Sequence, residues 1–170
     1  SLTFTGATGT DPADVAASIG ANVENLLTFD ADTQSFRSFV PGAPAIFNTL
    51  SELTQRDALF VRVAAGKSAS LTATDIVPSP TGARSVLLVP GLNAIGYTGG
   101  TGTQIATLLD PLGSAVTSAS RFNAATQIWE TFVPGAPSFA NTLGALDRLD
   151  VIFIRLSGSQ QQLGLPEVLP

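Results

Sequence analysis

Apolar residues along this chain fall in short runs broken by Gly, Pro, Asn, Asp and Thr, a pattern of brief strands joined by turns. Residues 23–29 and 34–40 flank the polar stretch Asp30-Ala31-Asp32-Thr33, which predicts a hairpin, and Asn123-Ala124-Ala125-Thr126 predicts a second. Strand side chains alternate, so Phe36 and Trp129 are expected on one face and Phe39 and Phe132 on the other. Residues 58–63 and 151–156 are apolar on both faces, which places each in the middle of a sheet. Two helices are expected. In the first, Thr10 or Asp11 caps, Pro12 opens the first turn, Asp14 compensates the dipole and Gly20 ends the helix. In the second, Thr103 caps a stripe of Ile105, Leu108, Leu109 and Leu112 before Gly113.

The chain repeats itself. Phe39-Val40-Pro41-Gly42-Ala43-Pro44 returns as Phe132-Val133-Pro134-Gly135-Ala136-Pro137, and the same offset of 93 carries Asn48-Thr49-Leu50 onto Asn141-Thr142-Leu143. Without a gap, residues 1–62 and 94–155 share 25 identities in 62 positions. This reads as a tandem duplication. The fold class expected is α+β: two tandem pseudo-equivalent modules, each a small, mainly antiparallel sheet with one helix. Residues 1–66 form the first module, 67–84 a linker rich in Ser, Thr, Ala, Gly and Pro, 85–158 the second module, and 159–170 a tail. In each copy Asn48 or Asn141 is placed to bond backbone groups that the nearby prolines leave unpaired.

The segment Gly91-Leu92-Asn93-Ala94-Ile95-Gly96-Tyr97-Thr98-Gly99, followed by a helix, an aromatic hairpin ending in Trp129, Pro134-Gly135-Ala136-Pro137, Asn141-Thr142-Leu143 and a hydrophobic strand, resembles a repeat module of secreted, multi-domain bacterial surface proteins. That module opens on Gly-Trp-Asn-Leu-Val-Gly and closes on Gly-Tyr-Trp-Ile. Here Leu92 stands at the tryptophan, and Val151-Ile152-Phe153-Ile154 replaces the closing aromatics. The resemblance implies location and modularity, and no reaction.

Composition narrows the chemistry. The chain is 44% hydrophobic, 12% charged and 7% aromatic, without cysteine, histidine or methionine, so imidazole and thiolate mechanisms are excluded. Its net charge is −5, and it carries no basic stripe for nucleic acid. Its apolar runs fall far short of the roughly 20 residues of a membrane helix. A Thr/Ser/Ala/Gly-rich, lysine-poor composition fits an extracellular or cell-surface protein, and the start at Ser1 fits a mature or trimmed chain.

Several clusters invite a chemical reading. Asp30-Ala31-Asp32-Thr33-Gln34 spaces oxygen ligands like the start of a calcium loop but lacks its glycine and closing glutamate, so a hairpin turn is the better account. The pairs Asp11 with Asp14 and Asp147 with Asp150 have the spacing of acid–base carboxylates, yet neither recurs in the other copy, and capping explains them. Lys67 beside Ser68 and Ser70 has the composition of a serine–lysine dyad, but it lies in the linker. Asp57 with Arg62 and Asp150 with Arg155 do recur, and are read as structural ion pairs at the ends of a central strand. No catalytic residue, metal site or cofactor is assigned.

The copies differ most at their start. The second is led by Ser85-Val86-Leu87-Leu88-Val89-Pro90-Gly91-Leu92-Asn93, of strong strand character, whereas Ser1 aligns with Ala94. The first module is therefore expected to present an acceptor edge at Leu2 and Phe4, and the tail residues Leu163, Leu165, Val168 and Leu169 are the expected donor to a neighbour, against three rivals: the tail closing onto its own first module, residues 70–76 filling the slot within the chain, or a leading strand cut away from a longer array. Burying four such side chains is worth about 6 to 12 kcal/mol before ordering costs. A head-to-tail contact of this kind builds a filament unless it closes a ring. The function expected is thus a self-assembling extracellular structural protein that polymerises into a surface filament or lattice by donor-strand exchange. A carbohydrate-binding adhesin module, with Tyr97, Trp129 and Phe36 stacking on cell-surface glycans, is the second reading. A carboxylate hydrolase is the third.

Overall fold

The computed structural model describes residues 1–68 and 85–165. Their regular structure is mostly antiparallel sheet, accompanied by two α-helices and three 3-10 turns. In chain order the first part holds β1 (Leu2–Thr3), α1 (Pro12–Ile19), β2 (Val23–Asp30), β3 (Ser35–Phe39) and β4 (Ala58–Val63). The second holds β5 (Ser85–Leu88), β6 (Gly91–Gly96), β7 (Thr103–Gln104), α2 (Ile105–Leu109), β8 (Val116–Asn123), β9 (Ile128–Phe132), β10 (Ala145–Leu146), β11 (Val151–Leu156) and β12 (Gln161–Gly164).

Local signals set the first helix. Asp11 accepts a bond from the Ala13 N–H at 2.8 Å, Pro12 opens α1, and Gly20 ends it with a φ of 117°. The second helix differs from expectation. Gln104 precedes it without a side-chain cap, and α2 runs only to Leu109 before a 3-10 turn over Asp110–Ala115 that kinks at Gly113. Thr103 sits in β7, and its hydroxyl bonds the Gly100 carbonyl and the Tyr97 phenol, so it is not a cap. Both hairpins form as read. Asp30 and Asn123 each accept two turn amides through Oδ1, and Asn48 and Asn141 accept the Val40 and Val133 N–H groups just before the prolines, at 2.8 Å each.

The two four-stranded sheets have the orders β1-β4-β2-β3 and β6-β11-β8-β9, so the strands apolar on both faces are interior. Pairs 93 residues apart stand in the same register: Leu2 faces Leu59 as Ile95 faces Ile152, and Phe29 faces Phe36 as Phe122 faces Trp129. β12 pairs with β5, and β10 with β7, as separate two-stranded ribbons. Each sheet has its own core: Phe4, Val15, Leu26, Leu53 and Leu59 in the first, and Tyr97, Ile105, Leu143, Ile152 and Ile154 in the second.

The ion pairs expected along the central strands do not form. Residues five apart in a strand point to opposite faces and stand about 16 Å apart, too far for contact. Asp57 instead accepts bonds from the Thr54 N–H and hydroxyl, and Arg62 pairs with Glu24 at 2.8 Å. Asp150 accepts the Asp147 N–H and pairs with Arg121 rather than Arg155. Among the described residues, no helix is long and apolar enough to cross a membrane.

Candidate functional site

The two sheets meet through their aromatic faces. Ala58, Val151 and Phe153 are buried there, with Phe29, Phe60, Leu92 and Ala94 packed around them. A chain of rings crosses the junction from Phe36 to Phe60, Phe153 and Trp129, with centroids 6.0, 5.5 and 5.4 Å apart. Two reciprocal backbone bonds close one side: the Thr3 N–H donates to the Leu149 carbonyl and the Gly96 N–H to the Arg56 carbonyl, at 3.1 and 3.0 Å. Positions 3 and 96, and 56 and 149, are each 93 apart. Gly96 must be glycine, because a Cβ there would lie 2.3 Å from the Thr3 methyl and 2.8 Å from the Arg56 carbonyl oxygen.

Against that near-symmetry, the outer edges of the central strands differ. β11 is paired on that edge over six residues, from Val151 with Gly96 to Leu156 with Gly91. β4 is paired on the same edge over two, Ala58 with Thr3 and Leu59 with Leu2. Among the described residues, nothing pairs with the edge of residues 60–63. The difference carries into burial: Ile154 and Leu156 are buried, while their counterparts Val61 and Val63 are half-exposed. An edge with free N–H and C=O groups beside apolar side chains is a template for another strand.

The filled edge shows what holds a strand there. Gln34, in the β2–β3 turn with a φ of 52°, donates from Nε2 to the Leu92 carbonyl and accepts the Leu92 N–H at Oε1, both at 2.8 Å. Its amide thus acts as one more strand residue on the far side of β6. Gly91, with a φ of 100°, makes room for it, since a Cβ there would lie 2.6 Å from Gln34 Oε1. Asn93, almost fully buried, fastens the bend from β5 to β6 by exchanging bonds with the Val89 backbone, and its Nδ2 also donates to the Ile154 carbonyl. Gln127 stands in the other turn with a φ of 58° and keeps the internal bond from Nε2 to the Ala124 carbonyl, as Gln34 does to Ala31. Among the described residues, its Oε1 meets no backbone.

The residues singled out from the sequence land in several places. Leu2 pairs with Leu59 at the start of β4's outer edge, and Phe4 is buried in the first core with its N–H on the Asp57 carbonyl. Leu163 and Leu165 are buried in the second core of their own chain, Leu163 opposite Val86 in the β12–β5 ribbon. Val168 and Leu169 lie outside the described residues, as does Ser70 of the supposed dyad and most of the 67–84 linker. Tyr97 is fully buried, so it shares no platform with Phe36 and Trp129, which are about half exposed at opposite ends of the ring chain. Asp30 spends its oxygens on the turn amides and Arg37, and no group of three or more acidic side chains suited to a metal occurs among the described residues. A hollow between α1 and the end of β3 is lined by Ala13, Ala16, Val23, Phe39 and Pro41 and carries no polar side chain for chemistry.

Two features escaped the sequence reading: the glutamine clamp and the Thr3–Gly96 contact. Gln34 and Gln127 are identical at the 93-residue offset, a visible signal, but the partner of Gln34 is 58 positions away. Comparison with known proteins adds no relative: no family model matches the chain, and neither the curated proteins nor the solved structures searched contain a match.

Proposed function

We propose that the chain is a tandem duplication of one α+β module and serves as an extracellular structural subunit, joined to neighbouring polypeptides in a surface filament or lattice by a strand added to β4. The observation that carries this reading is the pairing difference between the central strands, six residues on β11 against two on β4. Strand addition satisfies the backbone groups of residues 60–63 that no described residue pairs with on that edge, and covers the half-buried Val61 and Val63. Because donor and acceptor surfaces differ, the contact propagates rather than closing a two-fold pair. Leu163 and Leu165 are committed to their own core, so the 161–165 segment is not the donor in this reading. The polar inventory supports no rival reaction, since the shared residues of the two copies are mainly glycine, proline, threonine, aromatic and aliphatic.

The test fills the edge within the chain. A copy of residues 85–93 placed ahead of Ser1 brings to β4, by the 93-residue register, the equivalent of β5 and of the start of β6, which pairs with β11 in the second sheet. The unaltered chain is expected to form filaments or sheets by electron microscopy and high-mass species by light scattering, and the filled variant to remain monomeric. Assembly that persists unchanged in the filled variant, or an unaltered chain that is strictly monomeric at high concentration, overturns the reading.

A further inference from the structure

The most closely repeated stretch of the chain, Phe-Val-Pro-Gly-Ala-Pro followed by Asn-Thr-Leu, lies along the outermost strand of each sheet, β3 or β9. We infer that residues 41–50 and 134–143 are edge seals, which close β3 and β9 to strand addition by a second copy of this chain. Such a seal has something to guard. Residues 35–40, Ser-Phe-Arg-Ser-Phe-Val, and 128–133, Ile-Trp-Glu-Thr-Phe-Val, are rich in β-forming side chains and carry one charge each. Segments of that composition pair with their own kind when their edge is bare. β3 and β9 lie at the opposite end of each sheet from β1 and β6, so the seals act whatever occupies the outer edge of β4.

Backbone groups of an edge strand point alternately toward its partner and away from it. Along β9 the outward residues are Trp129, Thr131 and, just past the strand, Val133. The Thr131 N–H donates to Thr142 Oγ1 at 2.9 Å, and its carbonyl accepts the Thr142 and Leu143 N–H groups at 2.9 and 3.1 Å. The Val133 N–H donates to Asn141 Oδ1 at 2.8 Å, and its carbonyl accepts the Ala136 N–H at 3.1 Å. The first sheet repeats every bond. The Ser38 N–H donates to Thr49 Oγ1 and its carbonyl accepts Thr49 and Leu50, while the Val40 N–H donates to Asn48 Oδ1 and its carbonyl accepts Ala43, all between 2.8 and 3.1 Å. Loop amides thus serve the two carbonyls, and the asparagine and threonine oxygens serve the two N–H groups, which is why Asn and Thr stand side by side in both copies. Pro41 and Pro134, without an N–H, end the edge. What remains outward on each strand is one residue, Phe36 or Trp129, next to a turn in which Gln34 or Gln127 has a φ of 52° or 58°. A second strand finds no run of free donors and acceptors to register on.

The experiment compares the full chain with a variant carrying Asn141→Leu and Thr142→Val, which keep side-chain size and remove both acceptors. Amide hydrogen exchange is followed in dilute solution, and light scattering over a range of concentrations. The Thr131 and Val133 N–H groups are expected to exchange roughly five- to tenfold faster, while those of Glu130 and Phe132, which face β8, keep their rates. On concentration the variant is expected to associate beyond the level of the unaltered chain, with protection returning at residues 129–133. Thr142→Ser, which keeps the hydroxyl, should match the unaltered chain. Should the double variant fail to fold, Thr142→Val alone bares the Thr131 amide and takes the same measurements. Faster exchange without added association would mean that these bonds only hold the loop in place, and overturns the sealing role. Unchanged exchange, or association with protection elsewhere, overturns it as well. If the unaltered chain assembles with protection along β4 and none gained at 36–40 or 129–133, both the seals and the function proposed above are supported; protection gained at 36–40 or 129–133 instead overturns the seals.

Discussion

β4 and β11 hold matching places in their sheets and differ in their surroundings. Both are interior, both follow a turn closed by an aspartate, and Phe60 and Phe153 approach each other across the junction at 5.5 Å. Yet β11 is buried at five of its six residues and β4 at two. The second sheet has β6 at full length on one side and the β5–β12 ribbon beneath it, which brings Leu88, Leu163 and Leu165 into its core. Among the described residues, the first has only Leu2 and Thr3 there. Burial along a strand is thus set by what is laid beside it, and not by its own apolar residues.

The largest expected effect tests that contrast directly. Ile154→Ala should cost about 2–5 kcal/mol in chemical denaturation, because the residue is fully enclosed, whereas Val61→Ala at the equivalent position should cost about 1 kcal/mol or less. Equal costs would mean that the first sheet is as well covered as the second. Next comes the junction that couples the two sheets. Gly96→Ala should destabilise by about 1–3 kcal/mol through overpacking against Thr3 and the Arg56 carbonyl. Thr3→Gly in the same chain should return part of that loss, a coupling that a double-mutant cycle measures. Additive losses would show that the two positions do not touch in solution.

The smallest effect sharpens the comparison electrostatically. Glu130 accepts a bond from the Asn123 amide and another from Arg121, and these outweigh its partial burial to hold its carboxyl below the ordinary value of 4.5. The stability it contributes is therefore present above about pH 4.5 and is lost as the pH falls through its lowered folded value. Position 28, which corresponds to Arg121 in the first sheet, is a threonine and offers no such cation. Glu130→Gln should flatten the acid limb of a stability–pH profile, and Arg37→Gln, at the corresponding position of β3, should leave the part due to Glu130 intact. An acid limb unchanged by Glu130→Gln would remove this carboxylate from the account.

Much of the architecture was legible because it is written in local patterns. The Asp30 and Asn123 turns, the Asp11–Pro12 helix start, and the doubly apolar strands each carry their own signal within a few residues. What was misread depends on distant partners. Thr103 has the chemistry of a cap, but its hydroxyl is drawn to Tyr97, which the core has pulled inside. Leu163 and Leu165 are apolar enough for any cleft, and nothing in their order says that Val86 and Leu88 wait for them in the same chain. The strand character of residues 85–88 was legible in their own apolar run. The role of Gln34 was not, because an exposed turn residue looks the same whether or not a backbone lies beside it.

The contact between Thr3 and Gly96 has a consequence for how these sheets can be joined at all. Two identical chains related by a two-fold axis would bring the same residue to that spot from both sides: a pair of threonines would collide, and a pair of glycines would leave a gap. Writing both partners into one polypeptide removes that constraint, so one side can be hollowed to receive what the other projects. Such lopsided complementarity is open to a fused pair and closed to a symmetric dimer.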